Sequence, residues 1–349
     1  MGKKAKYEEN LKDTREDFLD AIVDRFGDNI LSNLRGDSIE VMTTGSLSMD
    51  ASIGVGGIPK GRFTEIYGPE GSGKTTMALS TAQLAVERGE RVLYLDVENM
   101  LSYASIAQML GKDIDQHALV LLQPETAEQA FMIAEKGITS DEFSLVVIDT
   151  IAALEPQVEK ENEFDEYTMA ALSRLLAKFF RRNASDVKKH NVAFLLLNQV
   201  RDKVGSYTGG YESPGGHALK HYTSVRIALT KGQDITVSGE KVGINTKFVI
   251  RKNKLAAPFR AYEVPIMFGV GVDYFMDAIS FCETIGVIKK AGSFYKFDGV
   301  TMGQGRYASA DYLKGNKETL DKIVEMVYNV LNKTVVEEIV SNEEEQEAV

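Results

Sequence analysis

The segment Gly68-Pro-Glu-Gly-Ser-Gly-Lys-Thr75 places the strongest constraint on how this chain can fold. It matches the pattern G-x-x-x-x-G-K-[ST], in which a glycine-rich turn joins a strand to a helix. The preceding residues 62–67 have the β-branched and aromatic character of a strand, and residues 76–89 carry apolar residues at helical spacing. Backbone N–H groups at such a helix N-terminus converge on one spot and bind phosphate. The sequence therefore predicts a nucleoside triphosphate site.

The side chains of this P-loop indicate a nucleotide with its metal ion. Lys74 is expected to reach the β- and γ-phosphates, and the Thr75 hydroxyl is expected to bind Mg²⁺. Residues 145–149 form an apolar strand that ends in Asp149, the usual arrangement for holding Mg²⁺ beside a P-loop. The predicted nucleotide-binding residues of the loop are Gly68, Pro69, Glu70, Gly71, Ser72, Gly73, Lys74, Thr75 and Thr76.

Two further strand ends carry polar side chains whose roles the pattern leaves open. Glu98 follows the strand at 92–96, where a carboxylate could orient the water that attacks the γ-phosphate or simply face solvent. Gln199 ends the strand at 191–199, directly before a glycine-rich stretch, and could bind the γ-phosphate or merely cap the strand.

Strand-like runs alternate with helical segments from about residue 40 to residue 272, and several runs are apolar along their whole length. Such runs are typical of strands buried on both faces of a largely parallel sheet. The pattern predicts an α/β fold, a P-loop NTPase core with a central, mostly parallel, twisted sheet flanked by helices. The predicted strands are 62–67, 92–96, 119–123, 144–149, 191–199, 224–230 and 248–252.

The N-terminal and C-terminal parts of the chain have a different residue pattern from this core. Residues 1–35 are predicted to form an amphipathic helix, 36–272 the core, 273–333 a small α+β domain, and 334–349 an acidic disordered tail. The net charge is −11, no apolar run reaches the roughly 20 residues of a membrane span, and Cys282 is the only cysteine. We therefore expect a cytoplasmic protein that is not associated with a membrane.

Beyond the P-loop, six runs follow one another along the chain: TTGSLSMDASIGVGGIPKGRFTEIYGPEGSGKTT, VVIDTIAALEP, LLLNQVRDKVG, GGHALKHYTSVRI, RKNKLAAPFR and KKAGSFYKFDGVTMGQGR. In these runs and their order, the chain resembles the bacterial RecA recombinases over residues 15–333, and its departures in the N-terminal helix and the loops also fit a bacteriophage-borne member. The resemblance implies ATP-dependent helical filaments on single-stranded DNA, DNA-dependent ATP hydrolysis, and pairing and strand exchange with double-stranded DNA in repair. It implies ATP and Mg²⁺ as cofactors, and many relatives stimulate self-cleavage of a repressor.

The resemblance also implies residue roles. Glu98 looks like the water-activating residue, Gln199 like the γ-phosphate sensor, and Lys252 with Lys254 like a pair that reaches the ATP of a neighbouring subunit. The DNA-facing loops are expected at 155–169 and 201–216, and residues 1–35 as a polymerisation segment. Expected DNA-binding residues are Arg174, Arg181, Arg201, Lys203, Tyr207, Gly215, Gly216, Lys220 and Arg226.

Some positions depart from the family pattern. The aromatic ring expected over adenine falls at Ile106, with Tyr103 nearby in a shifted register, and either Tyr207 or Tyr211 could stack on DNA bases. His221 replaces an aromatic residue and is interpreted as a partly buried polar side chain.

Two other functions share these motifs: a hexameric helicase-like P-loop motor, and a regulatory recombination mediator without strand exchange.

Overall fold

The computed structural model describes residues 18, 20–25, 39–161, 171–202, 211–212 and 216–331. Residues 18 and 20–25 are helical and belong to a separate compact unit, residues 1–40. The rest of the predicted N-terminal helix, the acidic tail and much of both predicted DNA loops lie outside the described residues. No helix within the described part of the chain is long and apolar enough to span a membrane.

Strands make up the centre of the larger unit. They are β1 Val41–Met42, β2 Ile58–Pro59, β3 Arg62–Gly68, β4 Val92–Asp96, β5 Leu119–Leu122, β6 Leu145–Asp149, β7 Ala193–Gln199, β8 Arg201–Asp202, β9 Tyr211–Glu212, β10 Val225–Val237, β11 Glu240–Asn253, β12 Ala261–Met267, β13 Gly271–Val272, β14 Lys289–Ala291, β15 Phe294–Phe297 and β16 Val300–Gln304.

Helices surround these strands. They are α1 Leu47–Ile53, α2 Lys74–Glu87, α3 Tyr103–Leu110, α4 Ala127–Thr139, α5 Gln157–Glu161, α6 Ala171–Lys189, α7 Gly216–Tyr222, α8 Tyr274–Thr284, α9 Gly305–Gly315 and α10 317–331, with a 3₁₀ turn at Ile151–Ala153.

Nine strands form one sheet in the order β13-β12-β11-β10-β3-β7-β6-β4-β5. The six strands from β10 to β5 are parallel, and β11 to β13 extend the sheet antiparallel. Helices α2 and α3 pack on one face and α4 and α6 on the other, so both faces are buried. The predicted α/β fold with a mostly parallel sheet is confirmed.

The predicted strands at 224–230 and 248–252 are too short. In the structure they continue as the long hairpin of β10 and β11, which turns at Ser238 and Gly239. The extended part is polar and largely exposed, so it lacks the apolar signal of a buried strand. Cross-strand pairing between the two halves stabilises it instead.

The C-terminal elements form a smaller three-stranded antiparallel sheet with α8, α9 and α10 around their own apolar cluster. Leu47 and Ala51 of α1 belong to the same cluster. The buried carboxylate of Asp277 on α8 accepts hydrogen bonds from the Ser46 hydroxyl (3.0 Å) and from the backbone N–H and the hydroxyl of Ser48 (2.9 and 2.6 Å). These polar contacts join α8 to the start of α1.

The carboxyl ends of the parallel strands meet at one edge of the sheet. Gly68 of β3 is the register partner of Gln199 on β7, and Asp96 of β4 is the register partner of Asp149 on β6. Loops that follow such ends are where α/β proteins bind ligands. The sheet therefore brings the four predicted strand-end segments to one place.

Candidate nucleotide-binding site

The P-loop needs glycine at several positions. Gly71 (φ +68°) and Gly73 (φ +88°) adopt left-handed conformations that favour glycine, and Gly73 is the N-cap of α2. A Cβ on Gly68 would lie 2.2 Å from the Leu229 carbonyl oxygen. The hydroxyl of Thr246 on β11 donates to the Ser72 carbonyl at 3.1 Å, which ties the loop to the sheet. This is the turn geometry in which backbone N–H groups bind an anion.

Lys74 is buried against its own loop. Its ammonium donates to the carbonyl oxygens of Gly68 (3.0 Å) and Pro69 (2.9 Å). Burial lowers the pKa of Lys74, and the nearby carboxylates, led by Asp149 and Glu98, oppose that shift. The ammonium can exchange these two carbonyls for phosphate oxygens without leaving the loop.

Asp149 and Thr75 form the predicted metal pair. One carboxylate oxygen of Asp149 accepts hydrogen bonds from the Thr75 hydroxyl (2.8 Å) and the Tyr94 hydroxyl (2.7 Å). The other oxygen, Oδ1, is buried and has no hydrogen-bond partner among the described residues. Burial raises the pKa of Asp149 to about 6. An unsatisfied buried carboxylate oxygen beside a hydroxyl fits a hard cation such as Mg²⁺, which few protein groups and several waters usually hold.

Glu98 and Gln199 contact each other. The Gln199 amide donates to Glu98 Oε1 at 2.9 Å, and the Thr150 hydroxyl donates to the same oxygen at 3.0 Å. The Asp149–Thr150 peptide bond is cis. The side chain of Glu98 is exposed while that of Gln199 is half-buried. The two predicted catalytic side chains therefore lie in one hydrogen-bonded cluster beside the P-loop strand.

A cavity of about 420 Å³ opens beside the P-loop, and one of its lining residues, Phe268, was not predicted from the sequence. Phe268, which follows β12, lines it with 56% of its surface exposed. Ile106, at the position where the family has an aromatic residue, is fully buried in the core and does not line this cavity. Tyr103 is half-buried, and its hydroxyl donates to the Leu119 carbonyl at 3.0 Å. Only the sequence pattern of an aromatic residue followed by Gly269 at a strand end could have pointed to Phe268.

Lys252 and Lys254 do not face the P-loop of their own chain. Through β10, Lys252 is aligned with Glu65, three residues before Gly68 and two strands away, roughly 14 Å by strand geometry. Both ammonium groups bind the C-terminal carbonyls of α7. Lys252 donates to Lys220 (2.5 Å) and His221 (3.2 Å), and Lys254 to His221 (3.0 Å). Burial, reinforced by the charge of Lys254, lowers the pKa of Lys252 to about 8.

The predicted DNA-binding residues differ in their surroundings. Arg174 and Arg181 are exposed on α6, while the half-buried Arg226 pairs with Glu65 and lies over the Tyr67 ring at 4.7 Å. That pairing inside the sheet speaks against a phosphate contact by Arg226.

The remaining predicted DNA-binding residues lie in or next to the second loop. Gly216 starts α7, and Lys220 is half-buried. The Arg201 backbone lies in β8 but its side chain is outside the described residues, as are Lys203, Tyr207 and Gly215. His221 is exposed, so its interpretation as partly buried is wrong.

Comparison with known proteins gives two adjoining family matches. The family model of the RecA N-terminal domain matches residues 13–273, and that of the RecA C-terminal domain matches residues 277–332. Protein RecA of Thermus aquaticus is 40% identical over 346 residues, which cover 97% of this chain and 100% of the relative. Protein RecA of Lactobacillus acidophilus is 37% identical over 339 residues, which cover 96% of this chain and 91% of the relative. Protein RecA of Aquifex pyrophilus is 38% identical over 333 residues, which cover 93% of this chain and 95% of the relative.

Proposed function

The chain belongs to the RecA family, and from this premise we propose that it is a DNA-dependent ATPase that acts as a homologous recombinase. It assembles into helical filaments on single-stranded DNA and promotes pairing and strand exchange with double-stranded DNA. The observation that carries the proposal is the hydrogen bond between Gln199 and Glu98. It links a carboxylate suited to hydrolysis with the strand that leads into the second DNA loop, a connection that nucleotide binding alone does not require.

The residues of the P-loop bind and orient the triphosphate. Backbone N–H groups after Gly68 and the ammonium of Lys74 contact the phosphates, and the ring of Phe268 stacks on the base. Thr75 and Asp149 would hold Mg²⁺, which supplies positive charge to the β- and γ-phosphates when bound. The support is the unsatisfied Asp149 oxygen and the exposed Phe268 at a cavity beside the loop.

Glu98 orients the attacking water and accepts a hydrogen bond from it. In the structure its Oε1 is held by Gln199 and Thr150. When Gln199 turns to the γ-phosphate it gives up this bond, so Glu98 becomes free to bind water while the backbone after Gln199 moves with its side chain. ATP binding and the second DNA loop, residues 201–216, are thereby coupled.

The second half of each site comes from a neighbouring copy. Lys252 and Lys254 reach the ATP of the next subunit, which is consistent with their distance from their own P-loop. Such a contact is head-to-tail, and repetition of it generates a helical filament or a closed ring. The division into 1–35, 36–272, 273–333 and 334–349 is likewise part of the proposal, with residues 1–35 as the polymerisation segment.

DNA is contacted through its backbone. Arg174 and Arg181 on α6, with Gly216, Lys220 and the loops at 155–169 and 201–216, form a groove for single-stranded DNA. Exposure of both arginines supports this part of the proposal. Such binding is independent of base sequence and weakens as salt concentration rises. A cytoplasmic location and stimulation of repressor self-cleavage are further predictions from the family.

Two alternatives share the nucleotide site: a ring-shaped helicase-like motor and a mediator that does not exchange strands. The deciding experiment measures ATP turnover with and without single-stranded DNA, with electron microscopy in a non-hydrolysable ATP analogue. A recombinase gives DNA-stimulated turnover, helical filaments, and joint molecules from homologous duplex DNA. Closed rings would favour the motor, and filaments without joint molecules would favour the mediator.

A further inference from the structure

A second cavity, of about 400 Å³, lies behind the P-loop helix α2 and shares no lining residue with the cavity beside the P-loop within the described part of the chain. Its volume falls in the range of small-molecule sites, about 300–1,000 Å³. The later part of α2 forms one wall, through Ser80, Gln83 and Leu84, and the C-terminal helices α8 and α10 form another. A ligand there would contact the helix whose first turn carries Lys74 and Thr75.

Two buried acceptors line this cavity. Gln83 is 5% exposed, its amide nitrogen donates to Glu87 at 3.0 Å, and its Oε1 has no partner in the described structure. Asp50 is also 5% exposed, and its Oδ2 accepts one hydrogen bond, from Thr43 at 2.5 Å. A carboxylate oxygen can accept two, and a buried acceptor without a donor costs stability. Both groups therefore favour a ligand that donates hydrogen bonds.

Two tyrosines supply the aromatic part of the lining. Tyr274 of α8 and Tyr328 of α10 both line the cavity, and neither hydroxyl donates to another described residue. Burial and the Asp50 charge raise the pKa of both, that of Tyr328 to about 12, so both hydroxyls stay protonated. The remaining lining is largely aliphatic, including Leu47, Leu84, Leu110, Val272 and Val324. Such a lining suits an apolar body.

The buried charge of the cavity is negative. Its two cationic lining residues are Arg88, which is exposed, and Lys112, whose ammonium binds Glu87 at 2.5 Å. Asp50 is the buried carboxylate of the lining among the described residues. We propose that this cavity is a second ligand site, for a small organic cation whose ammonium or guanidinium group binds Asp50 and Gln83 and whose apolar body packs against Tyr274 and Tyr328.

The charge of Asp50 gives binding a defined pH dependence. Burial raises the pKa of Asp50 to about 7, and the cation binds the ionised form. Affinity for a cation should therefore rise about tenfold between pH 6 and pH 8.5, as the ionised fraction grows from about a tenth to nearly one. Asp277, with a pKa of about 6, ionises in the same direction, while the two tyrosines stay neutral and Arg88 and Lys112 add positive charge at the rim.

The test is calorimetric titration of the full chain with phenethylammonium and with its neutral analogue 2-phenylethanol, in saturating MgADP to keep the nucleotide site occupied. Tyr328→Ala removes an aromatic ring of the lining, and Asp50→Asn removes the charge. Tyr307→Ala is the matched control, because Tyr307 is an exposed tyrosine of α9 outside the lining. Each titration is run at pH 6 and pH 8.5.

We expect saturable one-to-one binding of the ammonium compound, tighter than that of the alcohol and about tenfold tighter at the higher pH. Asp50→Asn should abolish the preference and the pH dependence, and Tyr328→Ala should weaken binding at least threefold while Tyr307→Ala does not. Should either cavity variant fail to fold, the comparison of the two compounds and of the two pH values still decides. Absence of saturable binding in MgADP, equal affinity for both compounds, or equal effects of the two tyrosine variants would overturn the proposal.

Discussion

The side-chain amide of Gln199 donates a 2.9 Å hydrogen bond to Glu98 Oε1, which joins the ends of two strands that are not neighbours in the sheet. Strand β6 lies between β7 and β4, and Thr150, which follows β6, donates to the same oxygen. In the proposed mechanism a γ-phosphate competes with Glu98 for the Gln199 amide. Nucleotide binding would then free the Glu98 carboxylate and, at the same time, move the segment that follows Gln199.

Replacement of Gln199 tests this coupling. We expect Gln199→Ala to bind ATP normally and to lose most stimulation by single-stranded DNA, with DNA-dependent turnover reduced roughly tenfold to a hundredfold. The measurement is ATP turnover with and without DNA, alongside nucleotide affinity. Gln123→Ala is the control, because Gln123 is another amide at this edge but donates to Asp96 (3.0 Å). Wild-type stimulation in the Gln199 variant would contradict the coupling.

Removal of the P-loop ammonium should abolish nucleotide-dependent assembly. Lys74 is held by two carbonyl oxygens of its own loop, so Lys74→Ala leaves no cation in position for the phosphates. We expect at least a hundredfold loss of ATP turnover, about 2.7 kcal/mol or more in transition-state stabilisation. Lys112→Ala serves as the control, since its ammonium contacts Glu87 at the surface. Filaments of normal stability from the Lys74 variant would exclude the proposed role of the loop.

The composite site predicts complementation between two inactive variants. Glu98→Gln disables the P-loop side of an interface, and Lys252→Ala with Lys254→Ala disables the opposite side. In an equal mixture about a quarter of head-to-tail interfaces pair two intact halves, because each half is drawn at random. We therefore expect about a quarter of wild-type turnover from the mixture and almost none from either variant alone. A mixture as inactive as its components would show that the lysines do not act across the interface.

The exposed ring at the P-loop cavity predicts a base contact. Phe268→Ala should weaken ATP binding about tenfold, about 1.4 kcal/mol, because a ring stacked on the base contributes roughly that much. Phe294→Ala, at an exposed phenylalanine of the small sheet, should leave affinity unchanged. The measurement is the dissociation constant of a non-hydrolysable ATP analogue. Equal affinity of the Phe268 variant and the wild type would place the base elsewhere.

The raised pKa of Asp50 predicts how the free energy of unfolding depends on pH. Burial raises its pKa to about 7 in the folded chain, above the 3.8 of an ordinary aspartate. Its contribution to folding is therefore fully present below about pH 3.8 and is lost as pH rises through 7. Asp50→Asn should flatten the fall of the urea midpoint between pH 4 and pH 8, a difference of at most a few kcal/mol. Asp113→Asn, at an exposed carboxylate, should keep the wild-type slope.

Much of the fold and part of the site follow from local pattern. The β3 strand, the glycine-rich turn and α2 are adjacent in the chain, so the residues that bind phosphate could be read as one segment. Strands β4, β6 and β7 were predictable because they are apolar along their length. Because parallel strands share a carboxyl edge, the strand-end residues Glu98, Asp149 and Gln199 could be expected at the same edge of the sheet, but their contacts could not.

Contacts between distant segments could not be read in this way. Arg226 had the charge of a DNA contact, but the sheet pairs it with Glu65, 161 residues away in the chain. Ile106 stood at the position expected for the base contact, yet helical phase turns it into the core, and Phe268 lines the cavity instead. Both outcomes depend on which surfaces pack together, and residue type and spacing alone do not determine that.

The sequence by itself determined the P-loop, the buried parallel strands and the polar residues at their ends. Each of these features depends on the type and spacing of residues that are close together along the chain. Tertiary structure decided which of those groups touch: Glu98 with Gln199, Lys252 and Lys254 with α7, and Asp50 with the cavity behind α2. The physical reason is that hydrogen bonds and burial act over a few ångströms in space, whatever the separation along the chain.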